Sequence, residues 1–159
     1  MTKEMIQSFT ARISQASRSE LVVILYEMTL ARIEDAEKSY EKNDLSKFDK
    51  ELKSAQKYVS ELMASLDYRY KISYDLLSLY LYTSKQIIRA IVKQNPLTLQ
   101  SAKVILKKLL TGFEGVSKLD TSGPMMRNTQ QLYAGLTYGK GTLNETYVDP
   151  GNKSRGFIA

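Results

Sequence analysis

The side chains that most often carry catalysis or bind metal ions are absent from this sequence. Its 159 residues include no histidine and no cysteine, which removes the commonest general base, the commonest metal ligand and any thiolate nucleophile. Carboxylates do occur in pairs, such as Glu34 and Asp35, but adjacent residues on a helix point to different sides and cannot share a proton or a metal ion. We therefore expect no enzyme activity, no metal and no cofactor.

A short segment near the C-terminus has some features of a phosphate-binding loop. Gly139 to Thr142 reads Gly-Lys-Gly-Thr, but it lacks the leading glycine at the required spacing, a preceding strand and a following helix. The sequence also contains no dinucleotide-binding glycine motif and no nucleophile elbow. Binding, rather than catalysis, is the function class that these residues favour.

The composition is that of a single globular domain. Hydrophobic residues make up 43 % of the chain and charged residues 25 %, which is ordinary for a soluble protein long enough to bury a core. There is no run of eighteen apolar residues and no basic start followed by an apolar segment, so we expect neither membrane insertion nor a signal peptide. The absence of cysteine fits a reducing compartment, and we expect the protein to be cytoplasmic.

The formal net charge of +6 is distributed unevenly along the chain. Residues 20 to 43 carry three positive and six negative side chains, whereas residues 68 to 95 carry five positive and one negative. We interpret the basic half as a solvated face that keeps the chain soluble, so we expect no nucleic-acid partner. The alternative is a basic nucleic-acid-binding bundle that uses Lys85, Arg89, Lys93, Lys103, Lys107 and Lys108.

The starts of four helices can be recognised from their capping residues. A serine followed three residues later by a glutamate forms a capping box, a short polar side chain accepts a free amide at a helix start, and proline fits the first helical position. These signals lie at Ser17 with Glu20, at Asn43 or Asp44, at Ser73, and at Asn95 with Pro96.

Behind each start, apolar residues recur at steps of three and four, the spacing that gives a helix an apolar face. The pattern is cleanest between Leu45 and Leu66, while the helix after Ser17 has two adjacent stripes, too wide for one partner. Short links join the four segments. The sequence therefore predicts an all-α protein: an antiparallel up-down four-helix bundle with a short N-terminal arm and an irregular C-terminal tail.

The predicted bundle occupies residues 17 to 119. Residues 1 to 16 form a mobile arm that could become a short helix once docked. Residues 120 to 159 are an extension that holds six of the eight glycines. Because methionine, leucine and tyrosine anchors are spaced through residues 125 to 147, we predict that this extension lies back on the bundle, the alternative being a disordered tail.

Several segments resemble one protein family in their order, spacing and length. The segments are ISQASRSELVVILYE at residues 13 to 27, ARIEDA at 31 to 36, AQKYVSEL at 55 to 62, Leu66-Asp67, and the turn at Asn95. Over residues 13 to about 118 the chain resembles the flagellar secretion chaperones, the FliS family. The resemblance implies a cytoplasmic chaperone that holds the disordered C-terminal segment of flagellin, keeps it from polymerising early and delivers it to the flagellar export apparatus.

A surplus of apolar faces on the first, third and fourth helices agrees with a groove for a bound segment. We expect this groove to be lined by Leu76, Leu79, Tyr80 and Ile87 on the third helix and by Val104 and Ile105 on the fourth, with Phe9 and Ile13 of the arm covering its edge in the empty state. A rival interpretation is a self-assembling protein whose grooves are filled by copies of itself, which would make it a weak homo-oligomer.

Overall fold

The structure, a computed structural model, describes residues 1 to 126. The helices in this part are α1 (Lys3–Gln15), α2 (Arg18–Glu41), α3 (Leu45–Ala64), α4 (Ile72–Lys93) and α5 (Leu99–Leu119), with a 3-10 turn at Pro96–Thr98 before α5. Residues 1 to 126 contain no strand. The predicted all-α fold is confirmed, and most of the glycine-rich extension, including its predicted anchors after Met126, lies outside the described residues.

The helix starts follow local capping chemistry in most places. The Ser17 hydroxyl accepts from the Glu20 amide at 3.3 Å, and the Glu20 carboxylate accepts from the Ser17 amide at 2.8 Å, so the predicted capping box is present. Asp44 caps α3 by accepting from the Lys47 amide at 3.0 Å. These bonds satisfy amides that have no partner inside the helix.

The predicted cap of α4 is wrong. This helix begins at Ile72 without a side-chain cap, and the Ser73 hydroxyl instead donates to the Asp67 carbonyl at 2.6 Å. Ser73 therefore fixes the turn before the helix. At the next boundary, Asn95 does cap, accepting from the Leu97 amide at 2.8 Å, and what it starts is the 3-10 turn that leads into α5.

The four long helices form a closed bundle. α2 packs against α3 and α5, and α4 packs against the same two helices, so α2 and α4 lie on a diagonal. Polar contacts between the helices, from Gln94 to Asp49 and from Lys103 to Glu37, fit antiparallel neighbours. The core between them is built from one apolar face of each helix: Tyr26, Leu30, Ile33, Phe48, Leu52, Val59, Leu62, Leu76, Tyr80, Ile87, Leu99 and Leu106.

The N-terminal arm is a helix in the structure, and it packs on α2. Arg12 forms an ion pair with Glu27, and the terminal amine forms one with Asp35, so α1 runs antiparallel along the outer side of α2. Ile24 is 2 % exposed although it is not part of the central core. We attribute its burial to α1, because α1 is the element that covers this side of α2.

Candidate partner-binding surface

The contact between α4 and α5 leaves an apolar surface exposed along its outer side. Thr98 donates from its hydroxyl to the Gln86 carbonyl at 2.8 Å, which fixes the register of the two helices. Leu79 lies seven residues before Gln86, and Ile105 lies seven residues after Thr98. Because both helices rise equally per residue and seven residues make two turns, Leu79 and Ile105 lie level with each other on facing sides. We call this surface the α4–α5 groove.

Two further apolar side chains widen the α4–α5 groove. Tyr82 lies one turn before Gln86, on the same side of α4, and is exposed. Val104 lies on the outer surface of α5 beside Ile105 and is 52 % exposed, while Leu79 is 36 % exposed. Exposed apolar side chains on two neighbouring helices form the usual receptor for an amphipathic segment.

A pocket of about 390 Å³ lies at the end of the bundle where α2 and α4 begin and where α3 and α5 end. Its apolar lining comes from α2, α4 and α5 and from the link between α3 and α4: Val22, Leu66, Tyr70, Ile72, Leu76, Tyr80 and Phe113. Ile72 and Phe113 are on the two helices that form the α4–α5 groove. The pocket therefore shares both of the groove's helices.

The rim of this end pocket carries charges of both signs. Arg69 donates to Asp67 at 2.9 Å and 2.5 Å, and these hydrogen bonds lower the pKa of Asp67 to about 2. Hydrogen bonds from Ser122, and then from Ser19, hold the pKa of Asp120 well below its usual range. Both carboxylates are ionised at neutral pH and are already paired with donors, so the rim is a fixed polar frame around an apolar interior.

The floor of the end pocket is a buried cluster of aromatic rings. The hydroxyls of Tyr26 and Tyr80 are hydrogen-bonded to each other, and the ring centre of Phe113 lies 5.5 Å from that of Tyr26. Burial raises the pKa of both tyrosines, so both phenols stay neutral at physiological pH. Their hydrogen bond satisfies two polar groups inside the core, which is a structural role.

The structure separates the eight predicted binding residues into three groups. Leu79, Val104 and Ile105 lie in the α4–α5 groove. Leu76, Tyr80 and Ile87 are buried in the core, although Leu76 and Tyr80 also line the end pocket. The expectation that these three have exposed faces in the groove is wrong, because this side of α4 faces the core of the bundle.

Phe9 and Ile13 form the third group. Both are half-buried on α1, which packs against α2 and not at the edge of the α4–α5 groove. In this position Arg12 and the terminal amine are paired with carboxylates on the outer side of α2.

Sequence reasoning missed the pocket-lining residues Ile72 and Phe113 and the charged pair Asp67 and Arg69. A signal existed in the link of residues 67 to 72, where aromatic residues alternate with charged ones. The pocket itself forms only where the ends of four helices meet, and no local sequence pattern predicts which helix ends meet.

The basic residues of the nucleic-acid alternative do not form one face. Lys103 is paired with Glu37 at 2.8 Å, and its side chain is mostly buried. Lys107 and Lys108 are adjacent on α5 and so point to different sides. A duplex-binding surface needs its cations gathered along one side, and this set does not provide that.

Within residues 1 to 126, no group of three or more aspartate or glutamate side chains is placed to hold a metal ion. In the same part, no helix is long and apolar enough to cross a membrane.

A family model described as flagellar protein FliS matches residues 1–120. No curated protein matches the sequence.

Proposed function

The chain belongs to the flagellar protein FliS family, whose members are flagellar export chaperones and not enzymes, and from this premise we propose that it binds the disordered C-terminal segment of flagellin in the α4–α5 groove. The segment is held there before export and cannot polymerise while it is bound. The protein acts in the cytoplasm and hands the segment to the flagellar export apparatus.

The observation that carries this proposal is the apolar row of Leu79, Tyr82, Val104 and Ile105. Leu79 and Ile105 lie on facing sides of two packed helices, Tyr82 and Val104 lie on the outer surface beside them, and all four are exposed or half-buried. An exposed row of this kind costs solubility unless a partner covers it. A disordered segment recovers about 25 cal/mol for each Å² of apolar surface that it buries, and the entropy lost on ordering keeps the complex releasable.

The end pocket gives the bound segment an anchor. It is apolar inside, it has a polar rim, and two of its lining residues, Ile72 and Phe113, belong to α4 and α5. One large apolar side chain of the segment fills it, while the charged rim meets the polar backbone of the segment. A single anchor of this type fixes the register of an otherwise adaptable chain.

Calorimetry with a peptide of the flagellin C-terminal segment tests the proposal at two salt concentrations. Groove binding buries apolar surface, so we expect a negative heat-capacity change and little dependence of the affinity on salt. Binding driven by cations to a duplex oligonucleotide would instead weaken steeply as salt rises. Absence of heat with the peptide, together with salt-dependent binding of DNA, would reject the proposed function.

A pair of variants tests which side of α4 the flagellin segment contacts. Leu79→Ser removes an apolar side chain from the α4–α5 groove and should weaken peptide binding. Val92→Ser is the matched control, since Val92 is 76 % exposed on the opposite flank of the same helix. Equal losses in both variants would contradict the assignment of the groove.

A further inference from the structure

A second surface, on the other flank of α4, has a different chemistry from the α4–α5 groove. Gln56 on α3 donates to the Ser84 hydroxyl on α4 at 2.5 Å, and this contact marks the side of α4 that meets α3. Leu81 precedes Ser84 by three residues and Ile88 follows it by four, so both lie on that side. We call the outer surface along this contact the α3–α4 face.

The α4 half of this face is an exposed apolar row. Leu81, Ile88 and Val92 are spaced by seven and four residues, which aligns them along one line of the helix, and each is about half exposed or more. None of the three belongs to the central core. The row is therefore not explained by the packing of the bundle.

The α3 half of the face is a row of lysines. Lys53 lies one turn before Gln56, and Lys50 and Lys57 lie three residues before and four residues after Lys53, so the three share one side of α3. Lys53 forms a surface ion pair with Asp49 at 3.3 Å. Within residues 1 to 126, Lys50 and Lys57 have no ion-pair partner.

Too few acidic side chains surround this row to neutralise it, so it is strongly basic. Lys85 on α4 adds a fourth cation next to the apolar row, and Asp49 is the one carboxylate among them, since Glu51 is buried against Arg32. Glu61, one turn after Lys57, ends the basic row. A line of apolar side chains thus runs beside a line of cations in which Lys53 is the residue with an ion-pair partner among the described residues.

We propose that the α3–α4 face docks an acidic amphipathic helix of a partner protein. Two antiparallel helices present a shallow channel that a third helix fills, with its apolar row against Leu81, Ile88 and Val92. Its carboxylates then lie beside Lys50, Lys57 and Lys85, which supplies the charge complementarity. Nucleic acid fits less well, because base stacking needs aromatic platforms and this row is aliphatic.

This face is separate from the proposed flagellin groove. Leu79 and Tyr82 lie on the Gln86 side of α4, toward α5, whereas Leu81 and Ile88 lie on the Ser84 side, toward α3. One helix therefore carries two apolar flanks. The protein can hold two partners at once, one on each flank.

A designed probe tests the proposal on the full-length protein. The probe is a labelled helical peptide of about 18 residues with leucines spaced to match the apolar row and glutamates on both flanks. Fluorescence anisotropy should give saturable binding that weakens as salt rises. The same peptide with glutamine in place of glutamate should bind about tenfold more weakly. A dissociation constant above about 1 mM for the acidic probe would overturn the proposal.

Variants separate the two contributions to binding. Ile88→Ser should weaken binding of the probe by about tenfold, because an aliphatic contact that is buried in the complex is lost. Replacing Lys50 and Lys57 by glutamate should weaken it by at least as much. The charge-matched control replaces Lys107 and Lys118, exposed lysines of α5, by glutamate and should leave the affinity within about twofold.

The remaining outcomes identify other occupants. If duplex DNA binds more tightly than the probe, and this binding needs Lys57 but not Ile88, the face serves nucleic acid. If Ile88→Ser abolishes binding of the flagellin peptide, or if that peptide displaces the probe, the face belongs to the flagellin site. Self-association that is lost in Ile88→Ser would assign it to a second copy of the chain. Each of these results would overturn the proposal of a separate acidic partner.

Discussion

Replacement of Val104 by aspartate is a direct test of the α4–α5 groove. Val104 lies on the outer surface of α5, is 52 % exposed and is not part of the core. Valine and aspartate have similar helix propensities. The substitution therefore changes the surface that a partner meets without removing a contact on which the bundle depends.

The expected loss of affinity follows from burial and charge. Complete burial of a valine side chain is worth about 1.5 to 3 kcal/mol, and with 52 % of the side chain exposed, about 1 kcal/mol of this is still available to a partner. A carboxylate pressed against an apolar segment adds a desolvation cost of about 2 kcal/mol. The sum of about 3 kcal/mol corresponds to a loss of roughly a hundredfold in affinity for the flagellin peptide.

Two measurements on the same samples decide the outcome. Calorimetry with the flagellin peptide should give the loss of affinity, and thermal unfolding followed by circular dichroism should give a midpoint within about 3 °C of the parent protein. Val92→Asp, on the other flank of α4, is the control and should bind normally. A large fall in the unfolding midpoint of Val104→Asp would mean that Val104 is a core residue. Normal binding by a folded variant would refute the reasoning.

Other predictions concern stability. Ile87→Ala opens a cavity in the core and should lower the free energy of unfolding by about 2 to 5 kcal/mol in a urea titration. Glu51→Ala leaves the Arg32 guanidinium without its partner at 2.6 Å and should cost about 3 kcal/mol in the same titration, more than a surface ion pair. The raised pKa values of Tyr26 and Tyr80 favour the folded state below pH about 10. As pH rises above that value, the unfolded chain loses these protons and the folded chain keeps them, so stability should fall. Absorbance at alkaline pH should show two tyrosines that ionise only on unfolding, and a variant with phenylalanine at both positions should lose this part of the titration.

Local chemistry made much of the fold predictable. The capping box of Ser17 and the cap at Asp44 act between residues a turn apart, so the sequence alone places these helix starts. The apolar spacing of α3 selects one face, and Phe48, Leu52 and Val59 of that face are fully buried. The family could also be inferred from the order and spacing of such segments. These features need no knowledge of which helix lies beside which.

The candidate site could not be predicted as well, and α4 explains why. Its first half is apolar nearly all round, so its sequence has no unique inward direction. Because α4 packs against α3 on one side and α5 on the other, Leu76, Tyr80 and Ile87 point toward the core. Leu79 and Leu81 are left on the two outer flanks. The end pocket likewise exists only where the ends of four helices meet. A sequence determines a helix and its cap because those interactions lie within one turn, whereas the outward face of a uniformly apolar helix is decided by the neighbours that cover the rest of it.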